Sequence, residues 1–187
     1  MQTDLEIAAA DAEPIQQNTS GTNVLVVDDS KLQRRILSAL LKRGGHSVTE
    51  ADSGIAALEL LQNQTFNFVL SDWMMPGMTG PELCRSLRAG GHENYCYFIL
   101  LTSKSEKGEI AQGLDAGADD FLTKPVNADE LRARITAGQR ILDMQSELQR
   151  KNRLVRATLD ELQALYDGVD RDLIEARELQ RSRMTFV

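Results

Sequence analysis

From residue 23 onward the chain alternates two kinds of stretch. Short runs such as Val24-Leu25-Val26-Val27, Phe68-Val69-Leu70 and Tyr97-Phe98-Ile99-Leu100-Leu101 are apolar almost without interruption, whereas the longer stretches between them place apolar residues every three or four positions. The first pattern predicts strands at 24–28, 47–51, 67–72, 96–102 and 118–122. Because these runs are apolar at successive positions, both faces of the sheet must be covered. The second pattern predicts helices near 31–43, 54–64, 80–90 and 106–116. Strand and helix in alternation give a doubly wound α/β domain, a parallel sheet between two layers of helix, whose reactive groups gather at the carboxyl ends of the strands.

Local signals set the turns. Thr79 followed by Pro81 and Glu82, Ser103 by Glu106, and Asn127 by Glu130 have the spacing of helix N-caps. Gly44-Gly45, Gly90-Gly91 and Gly117 are the expected helix stops.

Beyond Asn127 the rhythm changes. No proline follows, glycine stands only at 138 and 168, and helix formers dominate, so one long helix, or two in line, is expected from about Asp129. Within it Leu148, Val155, Leu162, Val169 and Ala176 interleave with Asn152, Leu159, Tyr166 and Leu173 at steps of three and four, the a/d pattern of a coiled coil. Asn152 takes an a position, where facing amides favour a parallel, in-register homodimer. The alternative is a single amphipathic helix packed on its own domain, although about 80 Å of helix outruns a domain of this size. An earlier stripe of Leu131, Ile135, Gly138 and Leu142 meets the later one through Gln145 and Leu148 in two successive steps of three. Taken as one seam this is a stammer, which overwinds a coiled coil locally; otherwise it is an adjustment between a docked and a free stretch of helix. The expected organisation is a flexible tail at 1–22, an α/β domain at 23–127, and a helix continuing into a dimeric coiled-coil linker at 128–187.

Composition narrows the function classes. Only 5% of the 187 residues are aromatic, which disfavours carbohydrate-binding modules and single-strand nucleic-acid platforms that rely on exposed rings. A formal net charge of −7 argues against nucleic acid or an anionic membrane as partner, and no run approaches transmembrane length. Residues 1–126 carry 10 Lys/Arg against 17 Asp/Glu and residues 127–187 carry 11 against 11, so the acidic excess belongs to the first part. Cys84 and Cys96, twelve apart with no other thiol, make neither a disulfide framework nor a zinc site and fit a reducing, cytoplasmic setting.

The acidic excess has a focus. In the expected topology Asp28 and Asp29, closing the first strand, and Asp72, closing the third, converge at one mouth of the sheet, where three carboxylates repel one another. A hard divalent cation relieves that repulsion, and Mg²⁺ suits a few carboxylates completed by water and a phosphate oxygen. An Asp-Asp pair alone is equally well explained by a helix cap or a surface turn. Here, however, Thr102 ends the fourth strand and Lys124 follows the fifth, adding a hydroxyl and an ammonium at the same edge. A carboxylate nucleophile, a metal to neutralise it, and a hydroxyl and a cation for the remaining oxygens are the parts needed to handle a phosphoryl group. A carboxylate needs no general base to attack phosphorus, only positioning and charge neutralisation. His46 and His92 stand in expected loops without Cys/His company and read as surface residues, so a histidine-kinase reading lacks its donor.

Val26-Val27-Asp28-Asp29-Ser30, Ser71-Asp72-Trp73-Met74-Met75-Pro76-Gly77-Met78-Thr79-Gly80, Leu101-Thr102-Ser103 and Phe121-Leu122-Thr123-Lys124-Pro125 together resemble a two-component response-regulator receiver domain, over residues 23 to about 140. The resemblance implies a flavodoxin-like sheet in the strand order 2-1-3-4-5. It implies that Asp72 accepts phosphate from a sensor histidine kinase or phosphotransfer protein, and that Asp28 and Asp29 hold Mg²⁺ together with Asp72 and the backbone carbonyl of Met74. Lys124 would pair with the acyl phosphate, Thr102 would be the switch hydroxyl, and Phe121 the aromatic partner whose ring turns inward. A cis Lys124-Pro125 bond is also implied. So is a tuning role for Met74 and Lys104, two residues beyond Asp72 and Thr102, which would border the path of hydrolytic water. Beyond self-phosphorylation and self-dephosphorylation no enzymatic activity of this chain is implied.

The segment Asp172-Leu173-Ile174-Glu175-Ala176-Arg177-Glu178-Leu179-Gln180-Arg181-Ser182 resembles the stretch preceding metal-dependent serine/threonine phosphatase (PPM class) domains of stress-response regulators, implying such an output domain beyond the chain. Receiver–helix modules of similar style also precede diguanylate cyclases, although Thr158-Leu159-Asp160-Glu161-Leu162 only faintly echoes the entry to that domain. A third possibility is a stand-alone, phosphorylation-dependent adaptor that binds partners through its coiled coil. A DNA-binding output has the least support, from neither charge nor a helix-turn-helix pattern.

Overall fold

The structure is a computed structural model that describes residues 22–90, 95–103 and 107–184, with side chains described from Ala111 onward in the fourth helix and up to Tyr166 in the fifth. Five strands, β1 (Asn23–Val27), β2 (Ser47–Ala51), β3 (Phe68–Asp72), β4 (Tyr97–Thr102) and β5 (Asp120–Thr123), alternate with α1 (Lys31–Arg43), α2 (Gly54–Asn63), α3 (Gly80–Ala89), α4 (Lys107–Asp115) and α5 (Ala128–Met184). All pairings are parallel, in the order β2-β1-β3-β4-β5. This is the flavodoxin-like arrangement expected.

Side chains alternate between the two faces of the sheet with the strand period of two. Val24 and Val26 of β1, Phe68 and Leu70 of β3, and Ile99 and Leu101 of β4 join Leu37 and Leu41 of α1 and Leu131, Ile135 and Leu142 of α5. Leu25, Val27, Val69, Phe98 and Leu100 face the other way, onto Ala57 and Leu61 of α2 and Leu83, Cys84 and Leu87 of α3. Both faces are dry, so the strands read as unbroken apolar runs rather than alternating ones.

Caps place the turns. Thr79 and Glu82 form a full capping box at α3, and Asn127 Oδ1 accepts from the Asp129 and Glu130 N–H groups at 2.8 and 3.3 Å. Ser30 and Ser53 cap α1 and α2 in the same manner. Gly45 and Gly117 adopt positive φ, as helix stops require. Gly90 caps α3 in an ordinary right-handed conformation. Glu106 of the expected Ser103–Glu106 cap, Gly91 and residues 1–21 of the expected tail fall outside the described residues.

Two boundaries differ from expectation in an informative way. β1 ends at Val27, so Asp28 is the first residue beyond the strand, yet it is fully buried. β5 begins at Asp120 rather than 118. The Asp119 carboxylate, not a main-chain carbonyl, takes the Phe98 N–H at 2.6 Å, and the ladder starts only after it.

α5 runs unbroken for 57 residues, about 85 Å. Its first turns belong to the α/β unit, with Leu131, Ile135, Gly138 and Leu142 buried on the sheet. Gly138 is the point of closest approach, since a Cβ there would lie 2.6 Å from Phe68 Cε1. Gln145 and Gln149, half-buried, continue this stripe. Ile141, Met144, Leu148, Val155, Leu159, Leu162 and Tyr166 are exposed and form a second stripe about 100° around the helix. The two steps of three at 142–145–148 therefore cross from the docked stripe to the exposed one on a continuous helix. Among the described residues no helix is long and apolar enough to cross a membrane.

Candidate functional site

At the carboxyl ends of β1, β3 and β5 the expected groups converge. Carboxylate oxygens of Asp28, Asp29 and Asp72 all lie within 4.8 Å of one another. The Lys124 ammonium bridges two of them, 2.8 Å from Asp28 Oδ2 and 2.7 Å from Asp72 Oδ1. Asp28 Oδ1 accepts from the Ser30 N–H at 2.9 Å, and Asp72 Oδ1 accepts from the Trp73 N–H at 2.8 Å. Lys124 precedes Pro125 through a cis peptide bond, and its N–H donates to the Thr102 carbonyl at 2.7 Å. Gly80 lets α3 start directly behind Asp72, where an added Cβ would stand 2.3 Å from the Asp72 carbonyl oxygen.

Burial lifts the Asp72 carboxyl above its ordinary pKa against the pull of Lys124, and the neighbouring Asp28 charge adds to the rise. Burial also works against the Lys124 ammonium, but hydrogen bonds to Asp28 and Asp72 outweigh it and hold Lys124 above the usual lysine value. Two partners in one ion pair thus both titrate upward. The causes differ: burial dominates at Asp72, whereas at Lys124 two carboxylate partners, Asp28 and Asp72, outweigh it. An all-oxygen donor set carrying surplus negative charge, with one buried, one half-buried and one exposed carboxylate, fits a hard divalent cation of the Mg²⁺ kind, which keeps part of its water shell.

Of the other residues singled out, Thr102 is buried at the end of β4 and Met74 is exposed on the loop after β3. Phe121 is half-buried, its ring against α4 where a Cβ on Gly113 would come within 2.5 Å. Lys104 and His92 lie outside the described residues, as do the side chains of Val169 and Leu173. The single chain leaves Leu148, Asn152, Val155, Leu159, Leu162 and Tyr166 exposed. His46, expected at the surface, is half-buried in a groove between α1 and α5 beside Leu131 and Arg132, and burial lowers its pKa; it takes no part in the cluster.

Two arrangements escaped the sequence pattern. Arg34 of α1 reaches back to the main-chain carbonyls of Asp28 and Asp29; the signal available was an arginine one turn beyond the Asp-Asp pair. At the opposite end of the sheet Arg88 donates to Gly117 O, Cys96 O and Asp119 Oδ2, and the Tyr95 hydroxyl donates to the other Asp119 oxygen. That network ties α3, β4 and β5 together away from the carboxylates.

The profile of the family described as response regulator receiver domain matches residues 24–136. Response regulator MprA of Mycobacterium sp. (strain KMS) is 42% identical over 114 residues, covering 61% of this chain and 49% of that protein. Chemotaxis protein CheY of Pseudomonas aeruginosa is 36% identical over 113 residues, 60% of this chain and 91% of its own length. A solved structure described as a two-component system response regulator/GGDEF domain protein superposes with a TM-score of 0.62 at 33% identity, covering 67% of this chain and 52% of that one. The chain spans about half the length of the mycobacterial response regulators it matches. With the sheet order, the carboxylate cluster and more than half of the sequence in agreement, the chain belongs to the response regulator receiver domain family of two-component systems.

Proposed function

We propose that Asp72 accepts a phosphoryl group and that α5 relays the resulting signal to an output domain. The observation that supports this most directly is the Lys124 ammonium held between Asp28 and Asp72, beside a cluster it cannot neutralise alone. An Asp72 carboxylate oxygen attacks the phosphorus of a phosphohistidine on a sensor histidine kinase or phosphotransfer protein. The O–P bond forms as the P–N bond breaks, and the imidazole leaves with the electron pair and takes up a proton. Asp28, Asp29, Asp72 and the Met74 backbone carbonyl would hold Mg²⁺, which when bound offsets charge on the phosphoryl oxygens. Lys124 stays to pair with the acyl phosphate. The Thr102 hydroxyl moves toward the phosphoryl oxygens, and Phe121 turns inward from its place against Gly113. Exposed Met74 has no polar side-chain atom to orient a water, which favours slow self-dephosphorylation; Lys104 is the other tuning position.

The exposed stripe on α5, continued in sequence by Val169 and Leu173, pairs two chains in a parallel coiled coil that leads to a serine/threonine phosphatase of the PPM class. A diguanylate cyclase output is the second reading, favoured by the solved response regulator/GGDEF domain protein to which the chain is similar. In both readings the protein works in the cytoplasm, and neither nucleic acid nor membrane is a partner of this chain. Incubation with a small phosphodonor and Mg²⁺ should add one labile phosphate by mass, and none in Asp72→Asn; a variant labelled at the same rate and with the same lability refutes the assignment. The two outputs are separated by assaying the product of the complete reading frame for phosphoserine hydrolysis and for cyclic diguanylate synthesis.

A further inference from the structure

The carboxylate cluster is braced by a side chain that is none of its proposed ligands. Arg34 lies in the first turn of α1, and its Nη1 donates to the carbonyl oxygen of Asp28 at 2.5 Å and to that of Asp29 at 3.2 Å. Its Nε stands 3.8 Å from Glu50 Oε2 at the end of β2, and the side chain is only 13% exposed. The Asp28–Ser30 segment joins β1 to α1 in irregular backbone, where rotation of a peptide plane swings the carboxylates attached on either side of it. Holding both carbonyls removes that freedom.

We infer that Arg34 is a positioning residue for the cation pocket: its guanidinium clamps the main-chain carbonyls of Asp28 and Asp29 and so sets the direction from which their carboxylates meet a divalent cation. The inference rests on the reading of the cluster as a Mg²⁺ site. Two effects of the guanidinium oppose each other. Its positive charge repels an incoming cation, while its clamp supplies in advance the ordering that binding would otherwise have to impose. Removal of the charge alone tightens Mg²⁺ binding; removal of the clamp weakens it. The two roles therefore differ in sign. Groups that orient metal ligands are typically worth about 10–100-fold in metal affinity. Arg34 acts through the main chain rather than on a ligating oxygen, which puts its effect near the lower end, about tenfold.

The test is calorimetric titration of the full chain with MgCl₂ alone, for wild type, Arg34→Ala, Arg34→Lys and Arg35→Ala, with thermal melting in the absence of Mg²⁺ recorded alongside. Arg35 is the exposed neighbour on the same helix and controls for charge. The expected result is a Kd raised about tenfold in Arg34→Ala. In Arg34→Lys it rises about threefold, because an ammonium is a point charge and lacks the guanidinium fork. Arg35→Ala should be unchanged or slightly tighter. Arg34→Lys carries the test if Arg34→Ala does not fold. Arg34 variants that bind Mg²⁺ as tightly as wild type or more tightly, or that lower the melting temperature while leaving Kd in place, overturn the positioning role alone. A folded wild-type chain that takes up no Mg²⁺ overturns the cation reading and this inference with it.

Discussion

Gly138→Ala asks whether α5 is docked as closely as the geometry requires. A Cβ at 138 would lie 2.6 Å from Phe68 Cε1 and 3.0 Å from Tyr97 Cδ1 and Cε1. Neither ring has room to retreat: Phe68 is fully buried, Tyr97 is 5% exposed, and the two pack against each other with centroids 5.4 Å apart. Inserting a methyl into such a site costs about 1–3 kcal/mol. Replacing glycine by alanine within a helix returns up to about 1 kcal/mol. The net loss is about 1–2 kcal/mol, and with a urea m-value of about 1.5 kcal/mol/M the midpoint should fall by about 1 M. The assay is urea unfolding followed by the fluorescence of Trp73, the single tryptophan, which is buried in the core. Gly168→Ala is the control. It lies in the same helix with nothing within 4 Å of an added Cβ, and it should stabilise the helix by about 0.5–1 kcal/mol, read by ellipticity at 222 nm. A Gly138→Ala midpoint at or above that of wild type would show that the helix does not press on Phe68 as described.

Met74→Asn should shorten the half-life of the phosphorylated chain severalfold by offering a polar group to a hydrolytic water; an unchanged half-life removes Met74 from the argument. Asn152→Leu should raise the melting temperature and loosen pairing specificity, read by sedimentation and by spin labels at residue 150; a wild-type chain that is monomeric at tens of micromolar, or labels far apart in the dimer, refutes the parallel coiled coil. Thr79→Ala should cost about 1 kcal/mol through loss of the α3 cap. The Thr79 N–H and hydroxyl hold the Glu82 carboxyl below its usual pKa, so that carboxylate's contribution is present above the ordinary glutamate range and is lost as pH falls through its lowered value. Thr79→Ala keeps the main-chain N–H and loses only the hydroxyl's share of that hold, so the gap between wild type and Thr79→Ala should narrow slightly in acid, and a gap that widens in acid contradicts the account.

The sheet was legible because its strands are apolar at successive positions, which leaves few arrangements besides a covered parallel sheet. The cluster was legible for a related reason, since Asp28, Asp72, Thr102 and Lys124 each stand where a strand ends and strand ends share an edge. What stayed hidden depends on main-chain partners or on azimuth. Arg34 and Arg88 bond chiefly to carbonyl groups, which every residue carries, so the place of an arginine in the sequence, even one turn beyond an Asp-Asp pair, does not announce its partners. The apolar residues of α5 divide into two stripes according to which meets the sheet, and a string of letters does not say which. Gly138, a gap in the apolar pattern, is the closest contact. His46 lies in a loop by sequence yet is half-covered, because α5 passes over the end of α1.

Because α5 continues without interruption to Met184, orientation at its far end is inherited from the seat at Gly138. Each residue inserted after Gln149 would turn everything beyond it by about 100°, whereas seven would leave it within about 20° of its original phase. The helix also has mechanical gain. Met184 lies about 70 Å along the helix from Gly138, so a tilt of about 5° at the seat, which moves Phe68 by a fraction of an ångström, displaces Met184 by about 6 Å. A spindle keyed at one end in this way turns a barely measurable repacking into a shift as large as a side chain, and it prescribes the spacings, in multiples of seven residues, at which anything attached to its tip would feel that shift in the same direction.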